Sequence, residues 1–127
     1  MSIDFILIKA KNQPARLDDI EADPDFDLND SRTVALALFK RIEWEVDGVG
    51  FATLRDVSFE LHAHAGSLSV WCRGQGDING AMAAIAETAR ELGMVTVDVQ
   101  TGELFDGAGP DPEYLRWYRR VLADHGE

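Results

Sequence analysis

The chain opens on a nearly continuous apolar run. Ile3 to Ile8 reads IDFILI, interrupted only by Asp4. Such a run predicts a strand in the middle of a sheet, covered on both faces. Residues 12–30 break the pattern. They hold Pro14, Pro24 and seven acids (Asp18, Asp19, Glu21, Asp23, Asp25, Asp27 and Asp30), which predicts a solvated loop or a ragged helical turn. A helix follows. Asp30 or Ser31 can cap it, because a short side-chain oxygen accepts from an unpaired first-turn amide. Val34, Ala35, Leu38 and Ile42 supply its apolar stripe, and Asp47-Gly48 is the expected stop. Val49–Leu54 fits either a strand or an extended link.

The next pattern is strict alternation. Val57, Phe59, Leu61 and Ala63 alternate with Ser58, Glu60, His62 and His64; beyond Ala65-Gly66, Leu68, Val70 and Cys72 alternate with Ser69, Trp71 and Arg73. Folding the runs at that turn pairs Ala63 with Leu68, Leu61 with Val70 and Phe59 with Cys72, all apolar. The opposite face pairs His62 with Ser69, Glu60 with Trp71 and Ser58 with Arg73. One register sorts both strands, which predicts a hairpin. Asp77 then caps a second helix whose stripe is Ile78, Met82, Ile85, Ala89 and Leu92, stopped by Gly93. Val95, Val97 and Val99 alternate with Thr96 and Asp98 in a further strand, Thr101-Gly102 turns, and Leu104-Phe105 can pair back. After a loop at 106–110, Asp111 and Pro112 start a last helix with Tyr118, Val121 and Leu122 on its apolar side. The order strand, helix, strand, strand, helix, strand predicts an α+β, ferredoxin-like split βαβ (βαββαβ) sheet with helices on one face and an added C-terminal helix.

Length changes little in this picture: 127 residues with 46% hydrophobic composition suit a single α+β domain, 1–127, with a real core. Charge changes more. Twelve Lys and Arg against 23 Asp and Glu leave a net charge of −11, which argues against a partner held by phosphate neutralisation, nucleic acid or anionic lipid. No apolar run approaches the roughly 20 residues of a membrane span, and no leader pattern opens the chain. One cysteine, Cys72, suits a reducing compartment, so a cytoplasmic location is expected.

Several chemistries can be tested on spacing. Asp23, Asp25 and Asp27 match the first ligands of a calcium loop, but Leu28 stands where Gly is required and Val34 where a bidentate Glu is required. His62 and His64 share a strand face with Glu60, short of a four-ligand zinc set, so no metal or other cofactor is implied. Gly74 to Gly80 reads GxGxxxG between strand and helix. It outlines a nucleotide turn, the alternative small-molecule reading, with Asp77 where a phosphate would sit. No nucleophile elbow is present, and Cys72 is expected inside the core. What remains are surfaces: the acids Asp18, Asp19, Glu21, Asp23, Asp25 and Asp27 as a docking loop for a basic partner, and His62, His64 and Trp71 as a second patch, unless the last helix covers Trp71 and makes it core.

The segment from Ala83 to Phe105, AAIAETARELGMVTVDVQTGELF, runs from a helix through a valine-rich strand into D-x-Q-x-G-x-L-F. It resembles the tails of small acidic bacterial immunity proteins encoded beside secreted polymorphic toxins. The resemblance implies a cytoplasmic, non-enzymatic protein that inhibits a cognate toxin by direct binding, and it assigns no binding residue; a monomer or weak dimer is expected.

Overall fold

The structure is a computed structural model and describes residues 3–46, 48–73 and 76–105. Among the described residues it is α+β: a seven-stranded antiparallel sheet and two α-helices. The strands are β1 (Ile3–Lys9), β2 (Glu43–Val46), β3 (Val49–Leu54), β4 (Val57–His64), β5 (Ser67–Arg73), β6 (Met94–Asp98) and β7 (Glu103–Leu104), and they lie in the order β2-β3-β4-β5-β1-β6-β7. The helices are α1 (Leu28–Phe39) and α2 (Ile78–Glu91).

Alternation decides the core. Ile3, Phe5 and Leu7 of β1, Val57, Phe59, Leu61 and Ala63 of β4, and Leu68, Val70 and Cys72 of β5 are buried together with Val34, Ala35, Leu38 and Phe39 of α1 and Ile78, Ala81, Met82, Ile85 and Ala89 of α2. The β4–β5 register is the one alternation predicts, Phe59 opposite Cys72, Leu61 opposite Val70 and Ala63 opposite Leu68. Gly66 turns the hairpin with φ of 92°, a conformation that costs glycine no Cβ clash. β1 does lie inside the sheet, between β5 and β6, but it is not equally covered on both faces: Ile6 and Ile8 remain partly exposed.

The first helix departs from its expected limits. Its cap is Asp27, not Asp30 or Ser31. The Asp27 carboxylate accepts from the Asp30 amide at 2.8 Å and the Asp30 carboxylate accepts from the Asp27 amide at 3.0 Å. This reciprocal box starts the helix one turn early, inside the acidic run. The helix also ends early. Lys40, at φ of 65°, closes it, so Ile42 lies outside and Glu43–Val46 is a strand rather than helix. That strand pairs with Val49–Leu54, which settles the undecided segment as β3.

In β6 the polar positions of the alternation share the core side. All five residues are buried, and the register sets Thr96 opposite Leu7 and Asp98 opposite Phe5, on the core side. Val95 and Val97 stand opposite Ile8 and Ile6, and Val99 lies beyond the strand, 46% exposed. Asp98 is used in the turn that follows. Its Oδ1 accepts from the Gln100 amide at 2.9 Å and from Gln100 Nε2 at 2.7 Å. Gln100 Nε2 also donates to the Asp4 carbonyl, and its Oε1 accepts from the Asp4 amide. The D-x-Q-x-G motif therefore closes the β6–β7 turn and ties it to the start of β1. The expected helix after Asp111 and the loop before it lie outside the described residues.

Candidate functional site

β4 and β5 present a second row of side chains, turned away from the core. Ser58 faces Arg73, Glu60 faces Trp71 and His62 faces Ser69 across the ladder. Glu60 is the centre of this row. One carboxylate oxygen lies 2.6 Å from His62 Nε2, and the other accepts from the Arg73 guanidinium at 3.1 Å. The Glu60 side chain is only 14% exposed and that of His62 21%, against 51% for Arg73. The imidazole of His62 lies over Trp71 with ring centroids 4.1 Å apart, and His64 stacks beyond it at 6.4 Å. Sequence patterning brings Glu60, His62 and Trp71 to one face. It does not reveal that Glu60 bridges His62 to Arg73, because i to i+2 bonding along a strand leaves no periodic trace.

In the neutral tautomer that donates from Nε2 to the Glu60 carboxylate, His62 keeps Nδ1 as an acceptor. Among the described residues no hydroxyl or thiol bonds to that imidazole, and no group of three His, Cys, Asp or Glu is arranged to hold a metal ion. Cys72 lies on the opposite side of β5, fully buried beside Phe59. Burial, and after it the negative charges of Asp4 and Asp98, push its thiol pKa far up. A thiol so protonated is a small hydrophobe, not a nucleophile.

The acidic stretch is built rather than loose. Ala22 bridges to Ala10, the Lys11 amide donates to the Glu21 carbonyl at 2.8 Å, and the Asp23 amide donates to the Lys9 carbonyl at 2.9 Å. Asn12 closes the other side, donating to the Asp19 carbonyl and accepting from the Glu21 amide. Several acids serve this frame. Asp27 and Asp30 cap α1, Asp23 accepts from the Asp25 amide, and Asp19 lies 3.4 Å from Arg16. The carboxylates of Asp18, Glu21 and Asp25 are exposed and make no hydrogen bond or ion pair among the described residues.

Hydrogen bonds tie the acidic stretch and α1 to the β4–β5 turn. The Gly66 amide donates to the carbonyl of Phe26, between Asp25 and Asp27, and the Ser31 hydroxyl donates to the carbonyl of Ser67, the strand partner of His64. The glycine turn before α2 is described only from Gly76 onward. There the Asp77 carboxylate accepts from the Gly80 amide at 3.0 Å, so the helix N-terminus carries its own anion. Among the described residues no helix is long and apolar enough to cross a membrane. Comparison of the chain with family models, with curated proteins and with solved structures gives no match.

Proposed function

We propose that this protein is a non-enzymatic binding module of the immunity class, which inhibits a basic toxin domain by direct contact in the cytoplasm and works as a monomer or weak dimer. The observation that carries the reading is the pinned acidic stretch. Like charges repel, so a folded frame that gathers them at one rim costs stability, and an oppositely charged partner relieves that repulsion. Asp18, Glu21 and Asp25 are held at the surface with no ion pair among the described residues, on a backbone already ordered by its own hydrogen bonds. Preordered charge speeds encounter with an oppositely charged partner. His64, His62 and Trp71 supply a separate row in which an aromatic side chain can anchor the complex. The resemblance of residues 83–105 to immunity-protein tails supports the same class, although the Asp98 and Gln100 of that segment serve a turn.

The strand order β4-β5-β1-β6, with α1 after β1 and α2 after β5, is the order expected of a ferredoxin-like split βαβ core. In that reading β2, β3 and β7 are edge additions. The test of function is association with the toxin domain encoded beside the gene, measured by stopped flow at low and moderate salt. The triple variant Asp18→Asn, Glu21→Gln, Asp25→Asn is expected to associate more slowly and with a flatter salt dependence. Unchanged kinetics would take the stretch out of the interface, and no binding by the wild-type protein would remove the reading altogether.

A further inference from the structure

A cavity of about 340 Å³ lies between α2, the start of the acidic stretch and the β6–β7 edge of the sheet. Gln13 and Pro14 from the start of the acidic stretch, Ala86 and Arg90 from α2, and Thr96 and Phe105 help to line it. Phe105 is fixed there by its edge contact with Phe5, centroids 5.1 Å apart, and by its amide, which donates to the Thr96 carbonyl at 2.9 Å. Thr96 is 4% exposed, and its hydroxyl has no hydrogen-bond partner in the described structure. A buried hydroxyl left without a partner is costly, and valine would have filled the same space without that cost. Arg90 is exposed at the last turn of α2 and makes no ion pair among the described residues, in a chain with nearly twice as many acids as bases.

We infer that this cavity binds a small monocarboxylate with an apolar body, its carboxylate on the Arg90 guanidinium and the Thr96 hydroxyl, its body against Pro14, Ala86 and Phe105. A guanidinium presents two parallel N–H donors that match one carboxylate. A hydroxyl donor completes the remaining oxygen. The net charge of −11 works against any anion, and most strongly against a multivalent one such as phosphate. A monoanion whose apolar part gains from burial is the class that this balance admits. The inference is independent of the protein-binding reading, because neither Arg90 nor Thr96 belongs to the acidic rim or the His62–Trp71 row.

The experiment is a titration of the isotope-labelled full chain with benzoate and with hexanoate, followed by amide chemical shifts, with benzamide as the uncharged control. Saturable shifts are expected at Gln13, Arg90, Thr96 and Phe105, with benzamide much weaker. Arg90→Gln, on an exposed helix position, is expected to weaken benzoate by about tenfold or more, from loss of a charge-assisted hydrogen bond. Thr96→Val is expected to raise the melting temperature while weakening benzoate by about three- to tenfold. Absence of saturable shifts, equal binding of benzamide, or wild-type affinity in either variant would overturn the proposal.

Discussion

The carboxylate of Glu60 holds His62 at 2.6 Å and Arg73 at 3.1 Å, from a side chain that is itself only 14% exposed. The two donors keep an acid on a half-covered face from being an isolated charge. Glu60→Ala is therefore expected to destabilise the protein by about 1–2 kcal/mol, below the full value for a buried charged pair because Arg73 is half in solvent. Glu60→Gln, which can still accept from His62, is expected to recover part of that loss. Urea unfolding of the three proteins measures it, and equal stability of Glu60→Ala and wild type would show that the bridge contributes nothing.

Cys72 supplies a pH dependence whose sign is fixed. Its thiol pKa is raised in the fold, first by burial and then by Asp4 and Asp98, so the folded state holds the proton more tightly than the unfolded chain. Its stabilising contribution is complete below the ordinary thiol range and declines as pH rises through and above it, by about 1.4 kcal/mol per pH unit once the unfolded thiol ionises. The difference in stability between wild type and Cys72→Val is expected to be flat near neutral pH and to move in favour of the valine protein at alkaline pH. The native thiol is also expected to resist thiol reagents at neutral pH until the protein unfolds.

The hairpin joining β3 to β4 turns through Arg55 and Asp56, both at positive φ, 51° and 62°. Two successive positive values define the turn for which Asn-Gly is preferred. Arg55→Asn with Asp56→Gly is expected to stabilise the protein by about 1 kcal/mol, less the small value of the exposed Arg55–Asp77 contact. A fall in thermal stability would mean that the turn geometry is wrong.

Asp27 and Asp30 form the box that starts α1. Asp27→Ala is expected to cost about 0.5–2 kcal/mol, whereas Asp27→Asn keeps an accepting oxygen and is expected to cost little. The contrast separates the capping role from the charge role, since both variants remove the same charge.

These elements differ in how far the sequence disclosed them. The β4–β5 register was readable because alternation of period two places Phe59, Leu61 and Ala63 against Cys72, Val70 and Leu68 without conflict. The end of α1 was not, because Ile42 falls one turn after Leu38 and prolongs the helical spacing, while the break depends on the backbone angle of Lys40. The box at Asp27 was hidden among seven acids, with Asp rather than Glu or Gln at its third helical position. The burial of Thr96 was hidden by three alternating valines. Only the pairing of β6 with β1 shows that the threonine shares the face of Leu7.

The acidic rim and the aromatic row can be separated by kinetics. Long-range attraction acts before contact, so neutralising exposed charges lowers the association rate and leaves dissociation nearly unchanged. A buried aromatic acts after contact, so truncating it raises the dissociation rate. Asp18→Asn, Glu21→Gln and Asp25→Asn leave every hydrogen bond of the acidic frame in place, because none of the three carboxylates takes part in one. Trp71→Ala removes the ring that faces Glu60 across the ladder and lies against His62. With the cognate toxin domain, the acidic variant is expected to change chiefly the on-rate and its salt dependence. Trp71→Ala is expected to change the off-rate, with a loss of about 2 kcal/mol or more if the ring is an anchor. A Trp71→Ala protein that stays folded by circular dichroism and dissociates at the wild-type rate would confine the interface to the rim beside Phe26 and Gly66.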